Sequence, residues 1–159
     1  HTGELGSASK LKVMTNYLAT ANLVAVTEAL AACAKVGLDL GVAYEAIAAS
    51  SGTSFVHETE GQVILNGSRD INFTMDLVKK DVGLFISMAA EAGMQLELAD
   101  LVAGIFDDGI ERYGPREWSP NIIRRLEDDY GIDVVAPGFP AEMVDTELEE
   151  LGGEVRVRR

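Results

Sequence analysis

Cysteine is all but missing from this sequence. Cys33 stands alone among 159 residues, so an internal disulfide is excluded and the chain suits a reducing compartment. It falls in an alanine-rich apolar stretch, where a lone thiol reads as core filler. Basic residues are scarce too: 13 Lys and Arg face 26 Asp and Glu, for a net charge of −13. Phosphate binding needs clustered Lys and Arg, so the balance excludes nucleic acid and argues against anionic membrane surfaces. Long uninterrupted apolar runs are absent as well. The richest stretch, 13–27, contains Asn16 and Asn22 and ends at Glu28, short of the roughly eighteen residues a membrane span needs. There is no signal-peptide pattern at the start. His57 has no Cys or His beside it, and no metal site is expected. These absences predict a soluble, cytoplasmic protein with no metal, nucleic acid or membrane partner.

What remains is a sequence that folds. Hydrophobic residues make up 47%, and a chain of this size buries roughly two-thirds of its unfolded surface, enough for one ordinary core. No segment alternates apolar and polar residues as a half-buried strand does, and no internal repeat is visible. The fold class is therefore all-α. A first helix spans 6–36 and stops at Gly37 in the C′ position. Further helices are expected over 40–49, 55–65 (ending at Asn66-Gly67), 73–92 with Asp70 or Asn72 as cap, and 96–112. A last helix spans 121–129, with Ser119 as cap and Pro120 at its first position. The second half of the first helix is apolar on nearly every face and must be covered all round. That predicts a helical bundle built around one long N-terminal helix, whose protruding end reaches another domain or subunit. After Tyr130 the composition turns to proline, glycine and acidic residues. The division expected is a helical domain over 1–130 and an acidic tail over 131–159, either solvated or lying as an arm across a partner subunit.

Two constellations carry chemistry. Lys12 and Asn16 are four residues apart, hence on one helix face one turn apart. An ammonium can donate to a carbonyl oxygen while a neighbouring amide fixes its direction. Lys10 is the rival lysine, but it points about 200° away around the helix. The second constellation is Phe73, Leu77, Lys80 and Asp81, which a continuous helix places on one face together with Leu84. Aromatic, aliphatic and paired charged groups on one face suit the rim of a polar cleft.

In these residues the sequence resembles the β-hydroxyacid dehydrogenase family. The family's pattern runs Gly, two residues, Gly, one residue, Gly, three residues, Lys, with asparagine four positions further on. Gly3, Gly6, Lys12 and Asn16 match it, and Ala8 replaces the third glycine. The family's Ala-Glu pair appears as Thr27-Glu28, and its Phe-x3-Leu-x2-Lys-Asp motif as Phe73, Leu77, Lys80 and Asp81. The resemblance covers about residues 3–112.

The resemblance implies the C-terminal domain of a two-domain dehydrogenase, with the Rossmann domain preceding Gly3 and absent from this chain. It implies hydride transfer between NAD or NADP and a small β-hydroxyacid or semialdehyde, and assembly as a homodimer or homotetramer. It further implies Lys12 as catalytic acid/base, Asn16 as its catalytic partner, Lys80 at the cofactor, and Phe73 and Asp81 at the substrate. An ordinary ammonium holds its proton too tightly for exchange at neutral pH, so this chemistry requires a desolvated cleft. The competing expectation is a non-catalytic helical dimerisation module that kept the fold without the reaction.

Overall fold

The computed structural model describes residues 2–143. Six α-helices follow one another: α1 (Ser7–Lys35), α2 (Leu40–Ala48), α3 (Phe55–Asn66), α4 (Met75–Glu91), α5 (Glu97–Tyr113) and α6 (Arg124–Tyr130), the last preceded by a 3-10 helix over Ser119–Ile123. The chain is all-α, with one antiparallel bridge, Thr74 to Trp118, among the described residues.

The long helix is the hub of the bundle, packing against every other helical element. It ends as its glycine requires. Gly37 takes a φ of 78°, Leu38 N–H donates to the Cys33 carbonyl and Gly37 N–H to that of Ala34, the paired bonds that close a helix on a left-handed residue. Leu23, Val24 and Leu30 enter the core beside Ile64, Leu65, Met75, Val78, Val102, Phe106 and Ile123. By length and composition alone α1 could cross a bilayer, yet Leu23 and Leu30 are fully enclosed by the other helices.

All-round coverage, however, is not what this chain provides. Leu11, Met14, Leu18 and Val36 are exposed, as are Ala25, Ala29 and Ala32. At spacings of three and four, with Asn22 interrupting between Leu18 and Ala25, they form an apolar stripe along the length of α1.

Two further expectations are corrected. The fourth helix begins at Met75, with neither Asp70 nor Asn72 as cap. Its free N–H groups find carbonyls elsewhere: Met75 donates to Glu117 and Asp76 to Pro115, while Ser119 N–H donates to the Phe73 carbonyl. The 115–119 loop thus caps α4, with Thr74 extended at the cap, and holds Phe73 before the helix rather than on its face. Ser119 likewise lies inside the 3-10 helix, and Trp118 takes the cap position.

The segment after Tyr130 is not all tail. Val134 is completely buried, Ala136 N–H donates to the Leu65 carbonyl, and Phe139 packs edge-on against Tyr44. The acidic stretch 144–159 and its arginines lie outside the described residues.

This return is pinned by a nearly buried ion pair. Arg69 donates to both carboxylate oxygens of Glu127, at 2.8 and 2.7 Å, and Glu127 Oε1 also accepts from Val134 N–H at 3.0 Å. Glu127→Ala strips the guanidinium and a core amide of their acceptor together. We expect a loss of about 3 kcal/mol in urea unfolding; a loss under about 1 kcal/mol contradicts this role.

Candidate active site

The first half of α1 leads past α4 to the 3-10 helix, and there a cavity of about 310 Å³ opens. Its walls include Lys12, Asn16 and Thr20 from α1, Glu60 from α3, Phe73 before α4, and Ser119. Leu23 and Val78 close its apolar end. The i, i+4 rule brings Lys12, Asn16 and Thr20 into one line down the helix. Thr20 Oγ1 donates back to the Asn16 carbonyl at 3.0 Å, and Thr15 Oγ1 to that of Lys12.

Asn16 is held from the opposite side. Its Nδ2 donates to Asp81 Oδ2 at 2.7 Å, which leaves the amide oxygen to accept from a ligand or ammonium. One residue on, the Tyr17 ring stacks on Phe85, with centroids 3.9 Å apart and planes within 7°. Asp81 and Phe85 are themselves one turn apart on α4. Two adjacent residues of α1 therefore dock on two successive turns of α4, and this fixes where Lys12 emerges. The Lys12 side chain is exposed and makes no ion pair among the described residues.

Of the sequence-predicted residues, the structure brings Lys12, Asn16 and Phe73 into the cavity wall and ties Asp81 to Asn16. Lys80 stands apart, with its side chain 62% exposed and Nζ 3.3 Å from Asp81. Leu77, Lys80, Asp81 and Leu84 share a face of α4, with Leu84 turned to solvent; Phe73 precedes the helix and does not continue that face. Lys10 is exposed and does not line the cavity. His57 is fully buried, with Nε2 2.9 Å from the Tyr44 carbonyl, and no cluster of metal-ligating side chains occurs among the described residues.

Glu60 went unnoticed in the sequence. On α3 its i−4, i+3 and i+4 neighbours are Val56, Val63 and Ile64, all buried. A carboxylate on the apolar face of a helix is the signal that could have revealed it. Its Oε2 is sealed from solvent and has no hydrogen-bond partner among the described residues. Burial pushes the Glu60 carboxyl up to about 7, because an unpaired charge there has lost its hydration.

Comparison with known proteins shows the family. The family described as "NAD-binding of NADP-dependent 3-hydroxyisobutyrate dehydrogenase" matches residues 6–126. The 2-(hydroxymethyl)glutarate dehydrogenase of Eubacterium barkeri is 30% identical over 135 residues, covering 84% of this chain and 45% of that protein. The L-threonate dehydrogenase of Escherichia coli K12 is 28% identical over 103 residues, 65% of this chain and 34% of that one. Among solved structures, a 3-hydroxyisobutyrate dehydrogenase from Salmonella typhimurium superposes with a TM-score of 0.71 at 26% identity, covering 76% of this chain and 42% of that chain. The chain thus spans less than half the length of these relatives.

The buried carboxyl has a consequence for stability. Unfolded, Glu60 ionises near 4.5; folded, near 7. Between those values the folded state keeps a proton that the unfolded state releases, so stability falls as pH rises through this window and levels off above it. Glu60→Gln removes this contribution. The variant's stability relative to the parent should rise by about 3 kcal/mol between pH 4.5 and pH 8 in urea unfolding. A difference independent of pH contradicts the burial.

Proposed function

This chain belongs to the NADP-dependent 3-hydroxyisobutyrate dehydrogenase family, and from that premise we propose that it supplies the substrate-binding and dimerisation part of an NAD(P)-dependent oxidoreductase. The reaction is hydride transfer between a nicotinamide and a small β-hydroxyacid or semialdehyde, with Lys12 as general acid/base. One observation carries the reading: Lys12 and Asn16 line a single cavity, and Asn16 is oriented from behind by Asp81. Relatives named for 2-(hydroxymethyl)glutarate and L-threonate support the substrate class.

In the oxidative direction Lys12, as the free amine, takes the proton of the substrate hydroxyl as the carbonyl forms. In reduction its ammonium returns that proton to the alkoxide oxygen. Asn16 keeps its Nδ2 on Asp81 and presents its oxygen to the Lys12 ammonium or the substrate hydroxyl, so the amide acts as a fixed strut. Phe73 is the flat apolar wall across the cavity. The nicotinamide, when bound, supplies or accepts the hydride. Lys80 fits the cofactor role, since two of its three N–H donors remain free beside the Asp81 contact and its side chain is open to solvent. A nucleotide-binding domain in the full-length protein would bind most of the cofactor and close the cavity over Lys12, providing the desolvation the proton exchange needs.

A second copy of the chain is the natural cover for the exposed stripe on α1. Its alanine half, Ala25, Ala29 and Ala32, allows close approach of a second helix, and Leu11, Met14 and Leu18 continue the same seam. Ala29→Glu should shift the protein toward the monomer in sedimentation velocity; an unchanged assembly contradicts the placement.

Lys12→Ala in the full-length protein should lower kcat by about a thousandfold while leaving cofactor affinity within about threefold. Turnover within about tenfold of the parent removes Lys12 from the reaction.

A further inference from the structure

The cavity holds a polar group that the reaction above does not use. Glu60 reaches it from α3, facing the line of Lys12, Asn16 and Thr20 on α1. Nothing among the described residues satisfies its Oε2. Asn16 Nδ2 donates to Asp81 and Thr20 Oγ1 to a backbone carbonyl, and neither has a hydrogen bond to Oε2. Lys12, the other ionisable residue in the wall, makes no ion pair with it within 4 Å. Ala19, Leu23, Phe73 and Val78 offer no side-chain donor, and the Ser119 hydroxyl makes no hydrogen bond to Glu60. An acceptor left without a donor in a dry wall destabilises the fold, and a bound molecule that brings a donor removes that penalty. A site arranged this way favours ligands with an O–H or N–H at that point over otherwise identical ligands without one.

We propose that Glu60 forms a subsite for a second hydrogen-bond donor, a hydroxyl or ammonium on the carbon next to the one that reacts at Lys12. The inference rests on the hydroxyacid reading of the same cavity. Lys12 and Glu60 line the same cavity from α1 and α3, so the groups they grip can belong to one small hydroxyacid. Glu60 is a specificity residue here; it touches the substrate but takes no part in the hydride or proton transfer.

Three substrates with one carbon skeleton test it: 3-hydroxypropanoate, glycerate and L-serine, which differ only in carrying hydrogen, hydroxyl or ammonium beside the reacting carbon. In the full-length protein kcat/KM should be about tenfold or more higher for at least one of the two donor-bearing substrates than for 3-hydroxypropanoate. Glu60→Met, similar in length but without an acceptor oxygen, should erase that preference through KM while leaving 3-hydroxypropanoate within about threefold of the parent. Glu60→Gln keeps an acceptor and loses the charge. It should spare glycerate and weaken serine if the ammonium is the group bound, and spare both if the hydroxyl geometry alone matters.

Calorimetric binding of the same three molecules, without turnover, should give the same order. Ordered binding without hydride transfer leaves the subsite standing and overturns the dehydrogenase reading. Turnover with all three substrates moving together in both variants overturns the subsite.

Discussion

One contact between two helices sets the geometry of everything else: the docking of Asn16 and Tyr17 of α1 on Asp81 and Phe85 of α4. The hydrogen bond of 2.7 Å and the ring stack at 3.9 Å act on adjacent residues of one helix and on residues a turn apart on the other. A slide of either helix by one residue breaks both contacts at once. Because a helix is stiff, the same lock fixes the azimuth of Lys12 one turn earlier and of Thr20 one turn later. Groups carried on helices are held more tightly than groups on loops, and here the candidate proton-transfer residue inherits its position from a polar contact that it does not itself make.

The remaining walls are brought in by different means. The loop 115–119 caps α4 and, by accepting its first N–H groups, draws Phe73 and Ser119 to the cavity. Glu60 comes from α3, whose far end is anchored through Arg69, Glu127 and the returning segment around Val134. The cavity is therefore a junction of three separately stabilised units, and the apolar packing of Leu23 and Val78 beneath it joins them. The polar content of the junction is uneven: Asn16 Nδ2 and Thr20 Oγ1 each donate to a protein acceptor, while Lys12 makes no ion pair and Glu60 Oε2 has no hydrogen-bond partner among the described residues. That asymmetry is what distinguishes a place for a ligand from a satisfied polar core.

Much of this was legible in the sequence because it is local. Helix bounds fell within about two residues where a glycine or a cap marked them, as at Gly37 and Asn66-Gly67, and Lys12 and Asn16 share a wall because helical spacing demands it. Phe73 departs from its expected place because the first donors of α4 are satisfied by carbonyls about forty residues away, a pairing that no local pattern encodes. The extent of the tail was overestimated for a related reason: Pro137, Gly138 and Pro140 signal irregular chain, and irregular chain can still pack, as Val134 and Phe139 do. Glu60 has a sequence signal only in its apolar i−4, i+3 and i+4 neighbours, which becomes specific once α3 is placed against the cavity. The stripe on α1 shows the converse. Its apolar character was plain in the sequence, and only the structure reveals that this chain covers one side and leaves the other open.

Membership of the 3-hydroxyisobutyrate dehydrogenase family and the helical architecture agree with each other, and the proposed chemistry turns on whether Lys12 and Asn16 meet a substrate in the cavity they line. The most direct measurement is a crystal structure of the full-length protein with a β-hydroxyacid and oxidised nicotinamide bound. The reacting hydroxyl should lie about 2.6–3.2 Å from Lys12 Nζ, with Asn16 still on Asp81 and the substrate filling the space between α1 and Phe73. A hydroxyacid ordered elsewhere, with Lys12 turned to solvent and the cavity empty of it, would contradict the account.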